Sequence, residues 1–146
     1  YYGLSLWSFS QHRLFISPKQ KKEGGPEDYE RIRNQIAELM QEEIYVDASL
    51  NLTLLAKRLN MQPYLVSRVI NDQFNKPFPE LLLSYRIKKA EELLLSSLNK
   101  TYTVEGIAYE SGFSTLSAFY TAFKKETGMT PTQFRKRNER GNMKVA

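Results

Sequence analysis

A chain of 146 residues that is 41% hydrophobic can bury one ordinary core or a pair of small ones, and a net charge of +5 favours a polyanionic partner. The absence of cysteine excludes disulfides, thiolate catalysis and cysteine-based zinc sites, and fits a reducing compartment. No apolar run approaches the ~18 residues of a membrane span, and no secretory signal is visible, so no membrane contact is expected of this segment.

The charge is unevenly spread. Residues 1–43 hold six Lys/Arg against seven Asp/Glu, and residues 44–146 hold fifteen against nine. A basic C-terminal two-thirds fits either a surface for a polyanion or a solvated basic face. Tyr1 to Ile16 is aromatic and has no clean period, and Ser17 to Gly25 has the Pro, Lys and paired Gly of a linker. Residues 1–25 are therefore expected to be a linker or the tail of a missing upstream region. His12, alone in the chain, makes no metal cluster and is read as a surface residue.

A helix is predicted over 26–43. Pro26 suits a first helical position, Glu27 and Asp28 favour the positive end of the helix dipole, and Tyr29, Ile32, Ile36, Leu39 and Met40 form one apolar stripe. A run of short helices without strand alternation follows: Leu52–Leu59, Pro63–Gln73, Pro79–Ser96, Val104–Ser111 and Thr115–Thr127. The longest carries Leu83, Ile87, Ala90 and Leu94 on one face. A last helix starts at Pro131 and runs toward Asn138, leaving 139–146 as a tail. The fold class is all-α.

The chain nearly repeats itself. LTLLAKRLNMQPYLVSRVINDQFNKPF is matched by YTVEGIAYESGFSTLSAFYTAFKKETGMTP. Ala56 pairs with Ala108 and Asn60 with Gly112. After one extra residue in the second turn, Val66 pairs with Phe119, Ile70 with Phe123 and Asn75 with Gly128. Each pair has a physical cause. Helices that cross steeply need a small residue where their backbones meet, which Ala56 and Ala108 supply. The turn needs a residue that tolerates positive φ, which Gly112 does freely and Asn60 next best. Met61 and Phe113 can plug the core after the turn. The helix that follows is apolar on one face and polar, with little charge, on the other, as a surface laid against base edges requires. An ordinary helical bundle is the alternative.

In these residues the chain resembles the AraC/XylS family of transcription regulators, over roughly Leu50 to Asn138. The most specific stretches are GFSTLSAFYTAFKKETGMTPTQFRK, from Gly112 to Lys136, and YRIKKAEELLL, from Tyr85 to Leu95. The resemblance implies two homeodomain-like helix-turn-helix subdomains, at 50–77 and 103–130, within a DNA-binding domain spanning 44–138. A long connecting helix (79–96) joins them as a rigid spacer, and an extra helix lies N-terminal. It further implies promoter binding, usually activation, with RNA polymerase as a second partner and both recognition helices in adjacent major-groove segments.

Carried over by position, Gln62, Tyr64, Ser67, Arg68 and Asn71 contact bases from the first unit, and Leu116, Ser117, Tyr120 and Thr121 from the second. Arg68 is the guanine reader, because its fork fits two acceptors on that base. Tyr64 and Leu116 suit thymine methyls. Many members carry arginine where Thr121 stands, so shape or phosphate contacts are expected to dominate in the second unit. Lys76, Lys124 and Lys125 are the phosphate candidates. The opening segment resembles stalks of relatives whose sensing part is large or membrane-embedded, which implies a cytoplasmic segment of a parent that is either larger or membrane-anchored.

The remaining features are weighed more plainly. Arg86, among leucines, is expected in a structural ion pair, with a DNA contact as the alternative. Arg135, Lys136, Arg137 and Arg140 either touch phosphates or keep the tail solvated. Gly24 and Gly25 are not a phosphate loop, since no Lys-Ser/Thr follows. With no thiol, no histidine triad and no nucleotide fingerprint, no enzyme and no cofactor is expected. The runner-up function is a helical protein-interaction module.

Overall fold

The computed structural model describes residues 25–96 and 102–144. The aromatic opening segment, His12 and all of the linker but Gly25 lie outside the described residues. Among these residues there are seven α-helices, one 3-10 turn and no strand: α1 (Pro26–Gln41), the turn Ile44–Val46, α2 (Leu52–Leu59), α3 (Pro63–Phe74), α4 (Phe78–Leu95), α5 (Val104–Glu110), α6 (Leu116–Thr127) and α7 (Pro131–Met143).

Local chemistry starts each helix. Proline occupies the first turn of α1, α3, α4 and α7, where its missing N–H is no loss. Side-chain oxygens cap the others: Asn51 accepts from Leu54 N–H at 2.9 Å, Thr103 from Gly106 N–H at 3.0 Å and Thr115 from Ala118 N–H at 3.2 Å. Thr130 and Gln133 form a reciprocal capping box at α7. α1 stops at Gln41, short of the expected 43, because Glu43 turns into the left-handed region at φ 59°. α7 does not stop at Asn138. It continues to Met143, since Gly141 alone weakens the stretch and a single glycine is tolerated at about 1 kcal/mol.

Two cores divide the molecule. The first gathers Ile32, Ile36 and Met40 of α1, Ile44 and Tyr45 of the 3-10 turn, Leu55 and Ala56 of α2, Leu65, Val66, Val69 and Ile70 of α3, and Phe78, Leu81 and Leu82 of α4. The extra N-terminal helix, α1, packs on α3 and adds a wall to the first unit. The second core joins Ile87, Ala90 and Leu94 of α4 to Ile107 and Ala108 of α5, Phe113, and Phe119, Ala122 and Phe123 of α6, with Phe134 of α7 against it. Edge-on ring contacts, Phe113 to Phe119 at 5.2 Å and Phe123 to Phe134 at 5.5 Å, fill it.

α4 belongs to both cores. At ~100° per residue, Phe78, Leu81, Leu82 and Tyr85 point about 160° away from Leu83, Ile87, Ala90 and Leu94. The stripe expected at 83, 87, 90 and 94 is the face given to the second unit. The expected connecting helix is α4: the first unit packs on its N-terminal part, from Phe78 to Tyr85, and the second on its C-terminal part, from Leu83 to Leu94, on nearly opposite sides.

Arg86 lies on the seam between those faces and is 8% exposed. Its partners are not carboxylates, so the expected ion pair is corrected. Its Nε donates to the Tyr45 carbonyl at 2.8 Å and its Nη2 to the Asp47 carbonyl at 2.9 Å. The Asp47 carboxylate is occupied elsewhere, accepting from the Ser49 backbone N–H at 2.9 Å and hydroxyl at 2.6 Å. Those two bonds, first the hydroxyl's, hold the Asp47 carboxyl below the usual range.

Candidate nucleic-acid interface

The two turns that aim α3 and α6 are built alike. In the first, Met61 N–H bonds the Ala56 carbonyl at 3.0 Å and Asn60 N–H the Lys57 carbonyl at 3.1 Å. In the second, Phe113 N–H bonds the Ala108 carbonyl at 3.1 Å and Gly112 N–H the Tyr109 carbonyl at 3.0 Å. These crossed bonds close a helix around one left-handed residue, Asn60 at φ 53° and Gly112 at φ 95°. Ala56 and Ala108 are buried under them. Phe113 plugs the second core fully, whereas Met61 is only half-buried against the first.

α3 buries Leu65, Val66, Val69 and Ile70 and turns the opposite side outward. Tyr64, Arg68 and Asn71 share that outward stripe at i, i+4 and i+7 and are exposed, with Tyr64 64% exposed. Ser67 sits half-buried on its flank, and exposed Gln62 caps the helix start without bonding it. Two neighbours escaped the sequence-based reading. Tyr29 of α1 and Asp72 of α3 line an open cleft with Arg68 and Asn71. Asp72 follows directly from the helical period. Tyr29 does not, because its position depends on how α1 docks.

α6 buries Phe119, Ala122 and Phe123 and exposes Ser117, Tyr120, Thr121, Lys124 and Lys125. Leu116 is half-buried and packs on the second core, at the flank of the outward face. The Thr121 hydroxyl donates to the Ser117 carbonyl at 3.0 Å, which commits its proton to its own helix and leaves lone pairs to accept with. Tyr120 rests edge-on against Phe119 at 6.0 Å, so its ring is partly fixed. Lys124 and Lys125 end the helix, where they also complement its dipole. Lys76 lies beyond α3, in a cleft with Phe74, Leu81, Ser84, Tyr85 and Lys88, and is not part of the α3 stripe.

The outward face of α6 is polar, uncharged at its centre and cationic at its C-terminal end, and that of α3 is polar with one arginine, Arg68, at its centre. The family model described as a helix-turn-helix domain matches residues 55–137, which take in α3 and α6 and the turn before each. The chain belongs to the AraC/XylS family of transcription regulators.

Relatives agree with that membership. This AraC-family domain is 29% identical over 103 residues to the Msm operon regulatory protein of Streptococcus mutans, covering 70% of this chain and 35% of the relative. It is 26% identical over 90 residues to the transcriptional regulator GadX of Escherichia coli O157:H7, covering 62% and 31%. The chain thus spans about a third of the length of these relatives. Among solved structures, the C-terminal domain of AraT, a response regulator from Geobacillus stearothermophilus, is similar at TM-score 0.63 and 34% identity, over 75% of this chain and 84% of that one. The DNA-binding domain of AdpA, solved with a target DNA, shares the fold at TM-score 0.63 and 20% identity, over 73% and 90%. The AraC-family chain is a DNA-binding part of a transcription regulator and not an enzyme. No helix of the described residues is long and apolar enough to cross a membrane.

Proposed function

We propose that the domain reads one asymmetric duplex site, with α3 and α6 in adjacent major-groove segments. The observation that carries this is the pair of equivalent outward faces on helices held against one shared wall. Unlike side chains at matched places, Tyr64, Arg68 and Asn71 against Ser117, Thr121 and Lys124, make a palindrome unnecessary for a single copy. Gln62, Tyr64, Ser67, Arg68 and Asn71 serve the first segment, with Arg68 on guanine. Leu116, Ser117, Tyr120 and Thr121 serve the second, with Leu116 on a thymine methyl, and Lys76, Lys124 and Lys125 anchor phosphates. Non-specific duplex affinity falls on the order of 10⁻⁴–10⁻⁶ M, with tighter binding at the selected site.

In the full protein the DNA is promoter DNA, the outcome is activation through RNA polymerase, and a further region supplies sensing or dimerisation in a cytoplasmic setting, from a parent anchored in the membrane. Family membership and the response-regulator character of AraT support the regulatory part of this reading, and the membrane anchor rests only on the resemblance of the opening segment. The test is selection from random duplexes followed by footprinting. One asymmetric site with two protected major-groove segments is expected. Equal binding to all sequences at moderate salt, or salt-insensitive capture of a protein partner, would overturn it.

A further inference from the structure

The 3-10 turn of the first unit meets the α5–α6 turn of the second, with Arg86 between them. The guanidinium holds two backbone carbonyls of the first unit, and its central carbon lies 6.0 Å from the centroid of the Phe113 ring of the second. A Cβ added at Gly112 would stand 2.4 Å from the Tyr45 carbonyl oxygen and 2.9 Å from Arg86 Nε. The glycine is thus needed twice, for its positive φ and for this contact. The matched Asn60 keeps its side chain because its turn opens on a cleft lined by Lys57, Met61 and Gln62. The difference between the two repeats at this position therefore marks a surface where one unit presses on the other.

A buried guanidinium is costly unless its donors are satisfied, and an apolar side chain would fill the same space more cheaply. What an apolar side chain cannot do is grip the carbonyls of a loop. Hydrogen bonds of fixed direction from a planar fork restrain rotation, whereas apolar contact permits sliding.

We propose that Arg86 is a positioning residue. It locks the first and second units in one relative orientation and thereby sets which spacing of half-sites the domain accepts, without touching DNA. This inference rests on the two-helix reading of the DNA proposed above.

Two measurements test it. The chain has no cysteine, so spin labels can be placed cleanly through Thr53→Cys on α2 and Thr132→Cys on α7, both exposed. The distance distribution between them in free protein should be narrow with Arg86 present. It should broaden in Arg86→Met, and less in Arg86→Lys, whose point charge grips only one carbonyl well. Binding is then measured on the selected site, on versions with one base pair added or removed between its halves, and on each half alone. The native chain should prefer its own spacing by roughly tenfold, because misplaced halves lose the second contact set. In Arg86→Met that preference should shrink to about twofold, while affinity for either half alone is unchanged.

An unchanged spacing preference, or an unchanged distance distribution, overturns the proposal. So does a uniform loss on every duplex including the half-sites, which marks Arg86 as a stability residue only. Should Arg86→Met fail to fold, Arg86→Lys decides by the same criteria. If the native chain selects no site, the DNA reading itself fails. The distance measurement still judges the lock.

Discussion

Arg68 and Thr121 hold equivalent places on α3 and α6 and differ in what they can offer a base. Arg68 is exposed and joins neither of the ion pairs found among the described residues. The Thr121 hydroxyl donates its hydrogen bond to the Ser117 backbone carbonyl. Arg68→Ala should cost about 1–3 kcal/mol of binding and relax preference at one base position, with Thr121→Ala costing less. Quantitative titration of both variants checks this, and the reverse order would reassign the stronger reader. Glu91 carries a different liability. Burial first, then the charge of Glu126, raises its pKa above the ordinary value. For an acid so shifted, the folded state favours the protonated form. The penalty is absent below the unfolded pKa, sets in as pH rises, and is complete above the folded pKa. Glu91→Gln should therefore raise the denaturation midpoint at pH 7, and the gain should vanish as pH falls to about 4. The glutamine and wild-type midpoints, compared across that range, decide the matter. Which residues share an outward face was legible, because the helical period alone sorts Tyr64, Arg68 and Asn71 from Val66 and Ile70. The partner of Arg86 was not, since 41 positions separate it from Tyr45 and a backbone carbonyl has no signature in sequence.

At the scale of elements, the small residues beneath the two turns are the points of least tolerance. Ala56 and Ala108 are 1% and 0% exposed. Ala56→Leu or Ala108→Leu should overpack the crossing and lower stability by roughly 1–3 kcal/mol. Urea melts would show a lowered midpoint, and an unchanged one would place these alanines away from the crossing. Helix positions were legible from periodicity, proline and caps. The end of α7 was not, because local polarity at 139–143 says nothing about whether a capped helix will fray. The stripe of α4 at 83, 87, 90 and 94, which packs in the second core, was plain. Its other stripe, at 78, 81, 82 and 85, has meaning only once the first unit lies against it.

Over the whole molecule, the cations set how strongly salt opposes binding. Lys124→Ala and Lys125→Ala should each lower the slope of log affinity against log salt by about 1, equally on specific and random duplexes. A loss confined to the selected site would make either lysine a base reader. The repeat, and with it the family and the all-α class, could be read from sequence because it recurs at constant register. The mutual placement of the units could not, since it depends on contacts the repeat does not contain. The order of the two cores along the chain also bears on synthesis. Apart from one overlap at Leu83 and Tyr85, every residue of the first core precedes every residue of the second. The first unit can therefore complete its core while α5 to α7 are still being made. A chain ending at Ser96 should protect the amides of α3 from hydrogen exchange nearly as well as the full chain does, and unprotected amides would refute it. Until the second unit arrives, the side of α4 bearing Leu83, Ile87, Ala90 and Leu94 stands bare to water, which makes that interval the moment when a nascent chain is most open to aggregation.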